Sequence, residues 1–258
     1  MRRYFIYTYL LLIRYQFYSH FLNLILIKIK NIFTFYKIKE IEKIEKIKSE
    51  QLCNKKYINN QDFFNSYKEN YVSFQLINKN LDFYKKKFYH SYEKKGPANL
   101  ELLYFCSKLI SANKILETGV ADGWSSLIFL LHLSEQKKGN LISIDLPYLN
   151  TLQKYQCGKV IDKNLKSFWN LIVKPDEQGI NMLIKSSSKF DLIHYDSDKS
   201  IQGREKNYPK LWDMLNNGGI FISDDINDNM SFFKFCDVIN KKPLVIKYKK
   251  KFQGIILK

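Results

Sequence analysis

Arginine is almost missing from this chain. Only four stand in 258 residues, at Arg2, Arg3, Arg14 and Arg204. Arginine is the favoured side chain for reading phosphates and base edges, because its planar fork donates in pairs. Its scarcity argues against a dedicated nucleic-acid surface, despite a net charge of +17. Cysteine is sparse as well. Cys53, Cys106, Cys157 and Cys236 are scattered, and no pair has metal-ligand or redox spacing. Cys106 and Cys236 sit inside apolar runs, as core thiols do, which fits a reducing, cytoplasmic compartment. Long uninterrupted apolar runs are lacking too. Residues 4–27 reach the roughly 20 residues of a membrane-spanning helix only by burying Arg14. No small-residue cleavage site follows the "MRR" start, which disfavours a signal peptide.

What is present divides the chain in three. Residues 1–50 form an apolar, aromatic and basic extension. Its first 30 residues read either as a helix lying on a membrane surface or as a helix packed on the domain or on a second copy of the chain. In "KIKEIEKIEKIKSE", residues 37–50, isoleucine recurs every third position among alternating charges, the pattern of a charged surface helix or connector. Residues 51–97 are aromatic and basic and read as a helical cap that ends at Gly96-Pro97. Residues 1–100 carry 19 basic and 8 acidic residues, so the basic surplus is concentrated before the third part. A lysine-rich composition accounts for that surplus without a nucleic acid, and an anionic lipid or acidic partner would also suit it.

From residue 98 short apolar runs alternate with amphipathic ones. Strands are expected at 114–119, 140–146, 171–175, 189–196 and 219–225. Helices are expected at 125–136, 207–219 (stopped by a glycine pair) and 231–240. "PLVIKYKKKFQGIILK" reads as a terminal hairpin. The fold class is therefore α/β, a doubly wound, mainly parallel sheet closed by an antiparallel hairpin.

Ligands of open α/β sheets bind beyond the carboxyl ends of the strands. Here those ends read Glu117-Thr118-Gly119, Asp145, Asp196-Ser197-Asp198-Lys199 and Asp224-Asp225. One such carboxylate is an ordinary cap; four on one rim make an acidic cleft. The first turn, "ILETGVADGWSS" at 115–126, has Gly119 for the sharp turn and Gly123 for close backbone approach. Ser125 or Ser126 would cap the helix that follows. Ala121 stands where the dinucleotide fingerprint needs a second glycine, which disfavours a pyrophosphate and hence a dehydrogenase. Asp145 could accept from both hydroxyls of a ribose. A nucleoside whose remaining part is cationic suits such a rim, and S-adenosyl-L-methionine has those properties.

"ILETGVADGWSS", "GNLISIDLP", "FDLIHYDSDKS" and "LNNGGIFISDDINDN" resemble, in order and spacing, the motifs of class I S-adenosylmethionine-dependent methyltransferases. More closely they resemble the group of Methyltransferase domain 24 and the catechol-type small-molecule O-methyltransferases. The resemblance covers residues 98–258 and leaves out 1–95. It implies a seven-stranded sheet with an antiparallel last strand. It implies that Glu117, Gly119 and Gly123 line the methionine end of the cofactor and that Asp145 binds the ribose. It further implies a divalent metal such as Mg²⁺ on Asp196, Asp224 and Asp225, although the catechol-type pattern has Asp-Asn where this chain has Asp-Asp. Lys199 matches the position of a catalytic lysine and would need a lowered pKa to act as a base. His194 shares strand parity with Asp196 and is a second candidate base, and Asn229 a candidate amide donor. The implied acceptor is a small molecule or glycan, with "PYLNTLQKYQCGKVIDKNLKSFWN" at 147–170 as a lid. A nucleic-acid methyltransferase is the alternative, against which no N/D-P-P-Y/F motif occurs. A non-catalytic binding module of the same fold, anchored by its N-terminal segment or forming a homo-oligomer, is a third reading.

Overall fold

The computed structural model describes residues 35–67, 74–95, 97–146 and 157–258, with Leu22 and Leu26 besides. The membrane or packing helix expected in residues 1–30 and the first part of the expected lid lie outside the described residues. Among those described, no helix is long and apolar enough to cross a membrane.

Among the elements described from residue 35 on, five helices precede the sheet: α1 (Phe35–Lys56), α2 (Asn60–Asn65), α3 (Phe74–Lys87), α4 (Tyr89–Lys95) and α5 (Leu100–Leu109). Then come β1 (Lys114–Thr118), α6 (Trp124–Glu135), β2 (Asn140–Asp145), β3 (Trp169–Val173), α7 (Asp176–Lys185), β4 (Phe190–Tyr195), α8 (Ile201–Met214), β5 (Leu215–Ser223), α9 (Ser231–Val238), β6 (Leu244–Tyr248) and β7 (Lys251–Leu257). One seven-stranded sheet results, in the order β3-β2-β1-β4-β5-β7-β6. β1 to β5 are mutually parallel, and β7 runs antiparallel to both β5 and β6.

Side chains alternate across the sheet because the strand period is two. Ile115, Leu141, Leu192 and Ile220 face α5 and α6, packing on Leu102, Leu103, Leu127 and Ile128. Leu116, Ile144, Ile193 and Phe221 face the other way, onto Ile180, Tyr208, Leu211 and Phe232 of α7, α8 and α9. With both faces covered, the central strands β1, β4 and β5 bury apolar side chains on either side.

Two boundaries differ from expectation. α8 starts at Ile201, because Ser200 accepts from the Gly203 amide and caps it, and it ends at Met214. The glycine pair therefore does not stop a helix. It lies inside β5, where Gly218 adopts φ 77° and the pairing with β4 shifts register between Phe190 and Leu192. The charged helix is anchored rather than a free connector. In α1, Ser49 Oγ donates to the Ile226 carbonyl at 2.7 Å, and Glu45 accepts from the Met230 amide at 3.2 Å. Its isoleucines Ile41, Ile44 and Ile47 stay half-exposed, because Ser49 and Cys53 make the buried face.

Gly254 of β7 shows how tightly the second face is filled. A Cβ there would overlap the Phe232 ring. Gly254→Ala is expected to cost about 1–3 kcal/mol by overpacking. A lowered urea midpoint with an unchanged slope would register it, and the Gly254→Ala, Phe232→Leu double variant should recover part of the loss.

Candidate active site

The carboxyl ends of β1, β2, β4 and β5 bring the expected residues onto one rim. The first turn is built by backbone bonds that continue the sheet past its last residues. The Gly119 amide donates to the Ile144 carbonyl and the Asp196 amide to the Thr118 carbonyl, both at 2.9 Å. Gly119 has φ 84°, and any Cβ there would collide with the Asp196 carbonyl, so only glycine closes this turn. Ala121 takes φ 50°, the conformation a glycine would hold more cheaply, at a cost of about 1 kcal/mol.

The reason for that conformation is Asp145. Its Oδ2 accepts from the amides of Val120 at 2.9 Å and Ala121 at 2.7 Å, and from the Cys157 thiol at 3.1 Å. Its Oδ1 accepts from the Leu146 amide at 2.7 Å. Two loop amides are thus committed to a carboxylate of the protein, which leaves them unable to cradle a phosphate. A carboxylate has about four acceptor sites, so Oδ1 keeps one open direction.

Glu117 does not face the open rim. It is fully buried beneath the loop, where it accepts from Ser126 and, at 2.9 Å, from Ser143. Thr118, also buried, accepts from Ser197 at 2.8 Å. The expected serine cap is absent: the residue before α6 is Gly123 at φ 94°, with no side-chain cap, and Ser125 is buried. Ser126 is committed to Glu117, which is why it cannot turn to the helix end.

Glu117 starts a row of buried polar groups running across the sheet on one face. Trp169 Nε1 donates to Ser143 Oγ at 2.9 Å, and Ser143 donates to Glu117. His194, paired with Glu117 in register, holds Nδ1 3.9 Å from Glu117 and Nε2 3.3 Å from Asp224 Oδ1. Gln253 closes the row by donating to Asp224 Oδ1 at 2.5 Å. Burial alone would depress the His194 pKa, but the carboxylates of Asp224, Glu117 and Asp196 outweigh it and hold it up to about 10. The flanking carboxylates favour the protonated imidazole, which opposes the role of base expected for His194.

The lowered pKa expected of Lys199 is opposed by its two partners. Its ammonium lies 2.8 Å from Asp196 Oδ1 and closer still to Asp225 Oδ2. Burial pulls its pKa down, but the two carboxylates reverse that and raise it above the ordinary lysine value. Asp196 moves up to about 6, through burial first and the Asp224 charge second, with Lys199 and His194 pulling the other way. Asp224 is held below its usual range: the His194 hydrogen bond and charge overcome burial.

The three expected metal ligands do not converge. Asp224 is turned to His194 and Gln253. Asp225 is shared by Lys199 and, at 3.1 Å, Lys251. Among the described residues no group of three or more His, Cys, Asp or Glu is arranged to hold a metal ion. The metal expected on Asp196, Asp224 and Asp225 therefore finds no ready-made cage among them.

Several residues of the rim went unread in the sequence. Asp176, at the start of α7, accepts from the Asp198 amide at 3.3 Å. Burial pushes its pKa up to about 6, the Asp198 and Asp145 charges add to this, and hydrogen bonds from Ser197 and Asp198 oppose it. Arg204 is fully buried and donates to the carbonyls of Asp224 at 3.1 Å and Asp225 at 2.8 Å. That pins Asp225 in a left-handed conformation, φ 51°. Asn229, the amide donor expected from the sequence, accepts from Arg204 at 3.4 Å and donates to the Lys199 carbonyl at 2.9 Å. The available signal for Arg204 was its rarity: a chain that otherwise uses lysine places an arginine where two carbonyls must be held at once.

Residues 116–226 match the family model described as "Methyltransferase domain". Among solved structures, an O-methyltransferase from Bacillus cereus in complex with SAH is similar, at 16% identity and a TM-score of 0.54. The match covers 71% of this chain and 96% of that one. A Klebsiella pneumoniae protein provisionally described as an O-methyltransferase matches at 16% identity and TM-score 0.54, over 72% of this chain and 96% of that one. A Staphylococcus aureus protein provisionally described as a caffeoyl-CoA O-methyltransferase matches at 13% and 0.51, over 77% and 98%. No curated protein matches the chain. At these identities the solved structures speak for the fold, and the family model for what the fold carries. The strand order is that of these solved folds, and the glycine turn and the acidic strand ends lie within the residues 116–226 that match the methyltransferase model.

Two outcomes follow from this geometry. Asp145→Ala frees the Val120 and Ala121 amides, so calorimetric affinity for S-adenosylhomocysteine should fall roughly 10- to 100-fold. Unchanged affinity would mean that the cofactor sits elsewhere. His194 titrates above the unfolded value near 6.5, so its stabilisation is full below that pH and is lost as pH rises through about 10. Urea midpoints should therefore decline over that alkaline window, and His194→Gln should flatten the decline.

Proposed function

We propose that the chain transfers a methyl group from S-adenosyl-L-methionine to an oxygen of a small-molecule or glycan acceptor. The observation that carries this reading is the position of Lys199. Its ammonium has three donors; Asp196 and Asp225 take two, and the side chain is 30% exposed at the rim.

The donor set suits the cofactor. Asp145 Oδ1 has an acceptor direction open toward a ribose hydroxyl, and Asp145, Asp176, Asp196 and Asp198 give the rim the negative character a sulfonium requires. When bound, the cofactor supplies a methyl group already activated for in-line displacement. The chain's own part is to hold and orient the acceptor. The third N–H of Lys199 meets the acceptor hydroxyl and stabilises negative charge on that oxygen as its proton leaves, as a preorganised cation does. Lys199 then serves as an electrostatic anchor, not as a base. Asp196, fixed at its side, is placed to accept the proton. An oxygen nucleophile gains most from this arrangement, since a neutral amine attacks without first becoming an anion.

A labelled-methyl assay against fractionated extract, followed by product hydrolysis, identifies the acceptor atom. Lys199→Ala is expected to lower kcat roughly 100-fold while leaving calorimetric cofactor affinity within about twofold. Alkali-stable label on nitrogen, or equal loss of cofactor binding and turnover, would defeat the reading.

A further inference from the structure

The acceptor half of the rim carries two cations of its own, and one of them comes from a part of the chain with no expected role there. Lys251, the first residue of β7, reaches Asp225 Oδ2 at 3.1 Å, with its side chain 62% exposed. Lys199 reaches the same oxygen from β4's far end and also touches Asp196 Oδ1 at 2.8 Å. Two carboxylates therefore face two ammonium groups, and the cluster is neutral. We propose that Lys199 and Lys251 together take the place that a divalent cation would occupy at this rim, so that methyl transfer by this chain is independent of divalent metal.

The geometry supports the substitution at each position. A hard divalent cation requires several oxygens converging on one point at about 2.0–2.6 Å. The point shared by Asp196 and Asp225 is held by Lys199 Nζ. The third carboxylate has one oxygen already committed: Asp224 Oδ1 is tied to Gln253 at 2.5 Å and His194 at 3.3 Å, both buried side chains on neighbouring strands, and no group of three metal-ligating residues is formed among the described residues. Nor can Asp225 swing its backbone to compensate, since Arg204 holds its carbonyl at 2.8 Å and that of Asp224 at 3.1 Å. Charge points the same way. Two positive charges added to a neutral, partly buried cluster meet two ammonium groups already in place, and desolvation is not repaid by an unpaired carboxylate. Asp225 itself fits this account, since its Oδ2 has both lysines as partners.

This inference rests on the methyl-transfer reading only for the name of the site; the test uses no transfer. Mn²⁺ is titrated into the full-length chain, and free Mn²⁺ is followed by electron paramagnetic resonance. The wild type is expected to show no stoichiometric binding up to about 1 mM. Lys199→Gln with Lys251→Gln should create a site at least about a hundredfold tighter, abolished again by adding Asp225→Asn. Circular dichroism and calorimetric cofactor binding confirm that the double variant is folded. Stoichiometric Mn²⁺ binding by the wild type, lost in Asp225→Asn, would overturn the proposal whatever the variants do. A folded double variant that takes up no Mn²⁺ would overturn it as well, because the lysines would then not be what excludes the cation.

Discussion

The carboxylate of Asp145, seated on the amides of Val120 and Ala121, is the interaction on which the rest of the site depends. It ties the end of β2 to the turn after β1 and forces Ala121 into the left-handed region. It also determines what the turn can hold. In a dinucleotide loop the amides at the helix entrance point to phosphate oxygens. Here an internal anion has taken them, and a phosphate brought to the same place would meet a carboxylate. The missing glycine is thus a consequence as well as a signature: a loop closed by Asp145 has no need for the close approach that glycine permits.

Beneath the turn, the buried row from Trp169 through Ser143, Glu117, His194 and Asp224 to Gln253 joins the cofactor half of the rim to the acceptor half. Buried charges are retained only when paired and hydrogen-bonded, and this row meets that condition by alternating sign. Glu117 and Asp224 flank one imidazolium, and neutral Ser143 and Gln253 close the two ends. Loss of one partner would leave a buried charge unmatched, so the row constrains both halves to keep a fixed spacing. In-line displacement requires that kind of fixed spacing between donor and acceptor. The sheet supplies it through side chains that themselves need not touch the reacting atoms.

Much of this was legible in the sequence, and the unread part has a common cause. Strand ends, the first turn and the terminal hairpin could be read because each depends on local pattern: apolar runs, glycines and acidic punctuation. Partners could not. The reading of Lys199 as a lowered-pKa base considered its distance from Asp196 in the chain but not Asp225, which arrives from β5. His194 looked like a base or a core residue because strand parity shows which face a side chain takes, not that two carboxylates will meet it there. Ser126 was a reasonable cap by composition, yet Glu117 claimed it first. The glycine pair at 218–219 carried a helix-stop signal, but the β4–β5 register turned it into a strand irregularity. In each case a long-range neighbour overruled a local rule.

The antiparallel strand explains why the rim can be finished at all. In a purely parallel sheet only carboxyl ends reach the ligand side, and in this chain those ends carry mainly acids. β7 runs the other way, so its beginning lies beside the end of β5, with Gly254 opposite Ser223. Gln253 and Lys251 therefore extend past that pair toward Asp224 and Asp225, bringing an amide and an ammonium to a rim otherwise short of donors. Had β7 been parallel, the same two residues would lie at the opposite edge of the sheet and Asp224 would have lost its shortest partner. The reversal of one strand thus does electrostatic work, since it allows residues far along the chain to balance an acidic rim. It also brings the start of β7, at the lysine-rich hairpin turn, to the same rim as Asp224 and Asp225.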